Sequence, residues 1–370
     1  MAFLLAKRDS IQRSTCIEAA LDPSWDVLVE ATAGGDLAQT TRWAAARKRL
    51  GFRCLQLMVR DTGGRTLIGG CLIYAKRLGP AVWAGFIPRG PLLFTDCHIA
   101  ASAMVEEIVA LARAHNIRFL VLQPPEGGEA VDDVAAAAGF RLGVPSVAPE
   151  STLRLDLRQC DEDLLARMRG DRRKGIRRAQ KAGFDVYEDR DVAAFHRLHT
   201  ISANRRGFNP ISLENLQAQY NVLAPDGWCT IFMVRHAGVP VAGFWVTRFA
   251  GTVTTKLSGW NTDVAVPPFA NEALEWATIR WARAQGAHSY DLGGFDRRYA
   301  ELILAGEPLP NDFLHSHSYF KAGYGGTPVL FPPARFVFTQ RLADLALGAA
   351  AQSIFTTPKA LSFIQRLRNG

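Results

Sequence analysis

The sequence predicts an α/β protein made of two successive domains of one architecture, each a mixed sheet covered by helices, and three observations point there. The chain has 370 residues, enough for two ordinary domains that each bury a core. One order of elements, hairpin then helix then strand, can be read twice along it. Between the two readings lies Val144-Pro145-Ser146-Val147-Ala148-Pro149, a proline-punctuated connection.

In the first reading, a strand-like run from Cys54 to Arg60 turns through Asp61-Thr62-Gly63-Gly64 into a second run, Thr66 to Tyr74. A helix follows with Met104, Ile108, Leu111 and Ala112 on one face, then the buried-type strand Arg118 to Leu122. The second reading has strands at Cys229 to Arg235 and Val241 to Phe249, turning at His236-Ala237-Gly238, and another at Val253 to Leu257. Its helix aligns Ala273, Leu274, Ala277 and Trp281, and it closes with Ser289 to Leu292. These patterns predict domains over 1–148 and 149–328, with a break at Pro328, Pro332 and Pro333 and a last strand at Phe336-Val337-Phe338. The tail 342–370 reads as amphipathic helix, and no long heptad stretch predicts a coiled-coil arm.

Composition narrows the class. With 48% apolar and 21% charged residues the chain is typical of globular proteins, and no apolar run is long enough to span a bilayer. Lys7, Arg8, Asp9 and Arg13 leave no apolar leader, and six scattered cysteines predict free thiols, so a cytoplasmic monomer is expected. The net charge is +8, and Arg167 to Lys181 holds eight basic residues against one acid, Asp171. Such a cluster suits a polyanion, whether nucleic acid, a diphosphate or, through peripheral contact, the anionic inner membrane; a solvated helix surface remains the alternative. His196-x-x-His199 and His315-x-His317 lack the cysteine or carboxylate company of a zinc site, so no metal is expected.

Chemistry concentrates near the end of the second domain. Tyr319-Phe320-Lys321-Ala322-Gly323-Tyr324-Gly325-Gly326 follows Asp291-Leu292-Gly293-Gly294, and a lysine among aromatics must be solvated or paired. Read as a strand, the segment puts His317, Tyr319 and Lys321 on one face and Ser316, Ser318 and Phe320 on the other. Lys321 would stabilise an oxyanion there, or else tie a loop through carbonyls. Asp291 is a candidate base or orienting carboxylate, and equally a turn acceptor. Arg173, Arg177 and Lys181 recur at i, i+4 and i+8 along one helical stripe, with Ile176 and Ala179 as its packing face and Gly183 as its stop.

Together the Phe-Lys-x-Gly-aromatic-Gly-Gly string and the Asp-Leu-Gly-Gly strand resemble the C-terminal signature of the FemABX peptidyltransferases, doubled GNAT-fold enzymes that move amino acids from aminoacyl-tRNA onto peptidoglycan precursors. The resemblance implies two tandem GNAT-like domains, the chain end returning to complete the first over 329–345. It implies Lys321 at the centre of the active site beside Phe320, acting on the ester oxyanion or the departing 3′-oxygen of tRNA, whose phosphates the Arg173, Arg177, Lys181 stripe would hold. Arg206, in Arg205-Arg206-Gly207-Phe208, is similar to the family's diphosphate-binding arginine; Tyr220 stands for its tyrosine, and Ser212 lies where a further arginine is expected. Gln39 and Trp43 followed by Arg47 and Lys48 resemble the segment that carries a phosphate-binding lysine, and Phe86 to Pro91 is also family-like.

At one position the chain departs from that pattern. Gln123-Pro124-Pro125 stands where several members have Asp-Pro, and an amide cannot accept a proton, which leaves Gln123 to substrate contact and a base role to His317 or the substrate's own environment. The expectation is an aminoacyltransferase needing no cofactor, with aminoacyl-tRNA as co-substrate and a UDP- or lipid-linked precursor as acceptor. Two alternatives stay open: an acyl-CoA-dependent GNAT N-acyltransferase acting on an envelope polysaccharide or small amine, with acetyl-CoA as its donor, and a non-catalytic tRNA or envelope-complex binding module. The stretch Asn261 to Asn271 has two prolines and no glycine, which argues against a backbone cradle for CoA.

Overall fold

A computed structural model describes residues 13–340 apart from 19–20, 62, 81, 96–97 and 262–267. The chain divides into two compact units, 1–148 with 331–370, and 149–330. The tail reading over 342–370, the far end of the 329–345 return, Cys97 and most of the Asn261 to Asn271 stretch lie outside the described residues.

The first unit begins with strand β1 (Arg13–Ile17), helices α1 (Ser24–Ala31) and α2 (Thr41–Arg49), and strands β2 (Arg53–Arg60), β3 (Leu67–Gly79), β4 (Val82–Pro88) and β5 (Leu92–Leu93). Helix α3 (His98–Ala114), strand β6 (Ile117–Gln123) and helix α4 (Glu129–Ala137) follow. Side-chain alternation explains the layering: Leu55, Leu57, Val59, Leu120 and Leu122 pack under α3 and α4, while Cys54, Phe119 and Val121 face the other way with Phe52, Tyr74 and Phe86. Because both faces are covered, β6 holds a continuous apolar run from Phe119 to Leu122.

The second unit holds β7 (Ser151–Asp156), α5 (Asp161–Arg167), α6 (Gly170–Lys181), β8 (Asp185–Asp189), α7 (Val192–Arg206), α8 (Leu213–Leu223), β9 (Cys229–His236), β10 (Val239–Phe249) and β11 (Thr252–Trp260). Then come α9 (Ala270–Ala284), β12 (Ser289–Gly294), α10 (Arg297–Ala305), α11 (His317–Ala322) and β13 (Thr327–Leu330). The chain re-enters the first unit as β14 (Arg335–Phe338), antiparallel to β6.

The two sheets share one plan. The first runs β1-β2-β3-β4-β6-β14 and the second β8-β9-β10-β11-β12-β7-β13. Each has an antiparallel meander meeting one parallel neighbour, β4 with β6 and β11 with β12, flanked by an antiparallel strand. That parallel contact is reached through the crossover helices α3 and α9.

One predicted strand is not a strand. Residues 317–322 form helix α11, capped by Ser316, whose hydroxyl accepts from the Tyr319 amide at 3.0 Å. A period of 3.6 replaces a period of 2, so His317, Phe320 and Lys321 share a face and Tyr319 leaves it. No helix among the described residues is long and apolar enough to cross a membrane.

Candidate active site

In the second unit the parallel strands β11 and β12 pair from Thr252 opposite Ser289 to Thr254 opposite Asp291, and then part. Both deform at that point. The β10 to β11 register shifts at Trp245 and Val246, and the β12 to β7 register between Asp291 and Gly294. Gly293 takes φ 75°, and a Cβ there would stand 2.5 Å from the Thr255 carbonyl oxygen, so only glycine lets the strands diverge in this way. Between them opens a cleft of about 600 Å³ whose walls include His199, Arg206, Thr255, Glu275, His317 and Lys321.

Lys321 enters the cleft from α11. Its ammonium donates to the Gly294 carbonyl at 2.7 Å, so it ties the end of β12 and lines the cavity at once. Burial and then nearby Arg206 favour the neutral amine, Glu275 and Asp291 oppose them, and the outcome is a pKa brought down to about 8. His317 sits one turn earlier, its ring parallel to Phe320 with centroids 6.3 Å apart. Protein surroundings and the Lys321 charge lower its pKa; much of its surface is open, so water screens part of this, and the imidazole is neutral at physiological pH.

Tyr319, expected beside Lys321, is a corrected assignment. It turns to Phe313, ring centroids 5.5 Å apart, and beneath the Arg169 guanidinium, 3.7 Å from its ring centroid. Phe320, expected on the opposite face, lines the cleft instead and carries Arg172 above its ring at 4.3 Å. Asp291 is absent from the cleft wall: its carboxylate accepts from the Thr152 hydroxyl, the Gly293 amide at 2.7 Å and Arg154 at 3.3 Å. The turn-acceptor reading describes that geometry and the base reading does not.

Around the basic helix, too, charge serves architecture as much as surface. Arg169 donates to the Tyr319 carbonyl at 3.1 Å and its own amide to that of Gly323 at 2.8 Å, while Arg172 pairs with Glu272. Gly325 takes φ 78° and a Cβ there would lie 2.5 Å from the Arg167 carbonyl oxygen, so the position requires glycine. Arg173 donates to the carbonyls of Ala166, at 3.2 Å, and Met168, which removes it from the stripe; Arg177 and Lys181 remain exposed.

Of the remaining assignments, Arg206 lines the cleft from the last turn of α7. Tyr220 does not: it is half-buried in α8 with its ring edge-on to Trp245 at 5.9 Å. Ser212, where an arginine was expected, caps α8 by accepting from the Asn215 amide at 3.2 Å. In the first unit Arg47 is buried, its guanidinium 4.1 Å from the centre of the Phe52 ring, and burial lowers its pKa to about 10; it is a core residue, not a phosphate ligand. Lys48 donates to the Glu18 carbonyl at 2.9 Å. Gln123 is buried and brackets the Ala148 backbone, accepting its amide at 2.8 Å and donating to its carbonyl at 3.1 Å, so substrate contact gives way to a structural strap.

Glu275 and His199 are among the cleft residues that were not anticipated as site residues. Glu275 on α9 is almost fully buried and accepts from the Tyr290 hydroxyl at 2.8 Å, which in turn lies 2.8 Å from the Thr255 hydroxyl. Burial raises its pKa to about 7, against the Tyr290 hydrogen bond and the Lys321 charge. A signal existed: Glu275 shares a buried helical stripe with Thr278, Ile279 and Ala282. His199, read as packing, stacks parallel to Phe195 at 6.0 Å and binds the Ser258 carbonyl through Nδ1 at 3.0 Å, with Nε2 on no partner among the described residues.

Comparison with known proteins agrees with this fold. An acetyltransferase (GNAT) domain family matches residues 166–301. A lipid II:glycine glycyltransferase of Staphylococcus saprophyticus is 23% identical over 233 residues, 60% of this chain and 56% of the relative, so the chain spans about half the length of the curated relatives it matches. Among solved structures, FemX superposes with a TM-score of 0.73 at 17% identity over 90% of this chain and 99% of that one. A tandem GNAT protein from the clavulanic acid pathway gives 0.53 at 14% identity over 89% and 99%.

Proposed function

We propose that the chain is an aminoacyltransferase of the FemABX type acting at the cytoplasmic face of the membrane, moving an amino acid from aminoacyl-tRNA to an amine of a lipid-linked peptidoglycan precursor; the glycyltransferase relatives, the FemX-like fold and the matched GNAT domain support this reading. The observation that carries this reading is the parted β11 and β12 pair with the Lys321 ammonium between them. The acceptor amine attacks the ester carbonyl directly. Lys321 donates to the oxygen on which charge builds, a contribution of about 3–4 kcal/mol for one well-placed donor. Juxtaposing the two substrates supplies about 7–11 kcal/mol more. Arg206 offers a cation for phosphate oxygens at the cleft wall, and neutral His317 offers a hydrogen bond without adding charge.

The glycyltransferase relatives make glycyl-tRNA and lipid II the first pair to try. Mass spectrometry of lipid II incubated with the protein and glycyl-tRNA should show addition of one glycyl residue. A second reading, N-acetylation from acetyl-CoA, draws on the acetyltransferase description of the matched domain. Against it, Pro267 and Pro268 have no amide N–H to offer a pyrophosphate before α9. Saturable acetyl-CoA binding in calorimetry with acetylated product would replace the proposal.

A further inference from the structure

Direct aminolysis leaves a proton to be placed, and Gln123 has no means to take it. An acceptor amine arrives as the ammonium. It must lose one proton before attack, and after attack the nitrogen loses a second as the 3′-oxygen departs and gains one. Across the whole reaction an ammonium and an ester become an amide, an alcohol and one free proton. Some group in the cleft must receive that free proton.

Resting on the aminoacyl-transfer reading, we propose that Glu275 is the proton acceptor of this site, reached from the cleft directly or through the hydroxyls of Thr255 and Tyr290. Three observations lead here. Glu275 is a carboxylate 5% exposed that nevertheless contributes to the cleft wall. Its Oε1 accepts from Tyr290, and the chain Glu275, Tyr290, Thr255 is closed by two contacts of 2.8 Å and ends on β11 where the strands part. The Lys321 ammonium, placed for the oxyanion, bonds the Gly294 carbonyl at the end of the facing strand. One wall therefore supplies positive charge to the oxygen and the other takes a proton from the nitrogen.

Competing groups fit less well. The Asp291 carboxylate is occupied by three donors away from the cleft wall, and the His317 imidazole is held neutral and weakly basic. Around Glu275, the titratable and charged groups are Glu272 on its own helix, Tyr290 on β12, Lys321 on α11 and Tyr324 just beyond it. Glu272 is in turn paired with Arg172. Desolvation puts the affinity of Glu275 for a proton near neutrality, where a general base is most effective.

The test has two arms on the full-length protein. Infrared difference titration of the wild type, compared with Glu275→Gln, should show a protonated-carboxyl band that belongs to Glu275 and disappears near pH 7. A band that titrates in the ordinary carboxylate range overturns the inference whatever the donor proves to be. With glycyl-tRNA and lipid II as probes, Glu275→Gln should lower kcat about 100-fold or more at pH 7 and recover steadily as pH rises and solvent deprotonates the amine, with KM for either substrate little changed. Tyr290→Phe should lower kcat less, by interrupting the longer route only. Wild-type kcat and pH profile in Glu275→Gln overturns the inference. An inactive wild type with a carboxyl titrating near 7 instead points to a different donor or acceptor, so failure of the functional reading is distinguishable from failure of the base.

Discussion

The two units build the same sheet and treat its parallel pair in opposite ways. In the first, β4 and β6 stay paired at six positions from Trp83 to Pro88; in the second, β11 and β12 part after three. Where the second unit has an open cleft, the first has side chains that satisfy backbone. Buried Gln39 accepts from the Leu72 amide at 2.8 Å and donates to the Pro88 carbonyl at 2.7 Å, and Gln123 brackets Ala148. Gln39 and Gln123 in the first unit are employed by the fold, whereas Lys321 and Glu275 in the second are ionisable groups at a cavity. A zipped pair gains hydrogen bonds; a parted pair gives them up and acquires a place for chemistry.

Removing the charge from the open unit should have the largest effect. Lys321→Met is expected to cut turnover about 100- to 1,000-fold. It should not lower the melting temperature at pH 7, because burying this ammonium opposes folding. The sign follows from its pKa: the folded value, about 8, lies below the reference 10.5, so the folded state binds fewer protons between them. Wild-type stability should therefore rise from about pH 8 to 10.5, and the Met variant should lack that rise. Unchanged turnover in Lys321→Met would make the cleft a binding pocket and support a non-catalytic module.

Closing the gap by backbone strain comes next. Gly293→Ala places a methyl against the Thr255 carbonyl at a left-handed φ, which should cost about 1–3 kcal/mol of stability and reduce turnover by displacing the end of β12. The matching test in the closed unit is Gln123→Ala. It strands the Ala148 amide and carbonyl and should cost about 1–3 kcal/mol in chemical denaturation while leaving kcat and KM as they are. A raised KM for the acceptor with unaltered stability would return Gln123 to the substrate.

How much of this contrast the sequence disclosed depends on the kind of signal. The strands at 53–60, 117–123 and 229–236 were legible because apolar residues and turn residues mark them redundantly. Lys321 was legible because a cation among aromatics is rare. Its helix was not: six residues are too few for a period of 2 to be told from 3.6, and Ser316, the cap that decides the matter, looked like one more polar residue. Arg47 misled for the opposite reason. A basic pair after Trp43 suggests phosphate binding, yet Arg47 follows Ala44 at i+3 on the buried face of α2, and helical phase, not residue type, fixes its fate. Glu275 hid in an ordinary helical pattern, because nothing local reveals that the strand opposite will part.

The smallest expected effect concerns the basic helix and refines which of its charges belong to the open unit's function. Arg169, Arg172 and Arg173 are committed to carbonyls, two carboxylates and two rings, so replacing them should destabilise the fold. Arg177 and Lys181 are exposed one turn apart on the same stripe. If they contact tRNA phosphates, Arg177→Gln with Lys181→Gln should raise KM for glycyl-tRNA several-fold near 0.1 M salt, leave kcat alone, and reduce the slope of log affinity against log salt by about 1–2. Contacts to phosphate carry no sequence information, so the loss should be equal for tRNAs bearing different amino acids. A salt slope identical to wild type would mark the two as a solvated helix face, and the donor's phosphates would then have to be sought at Arg206 and the cleft.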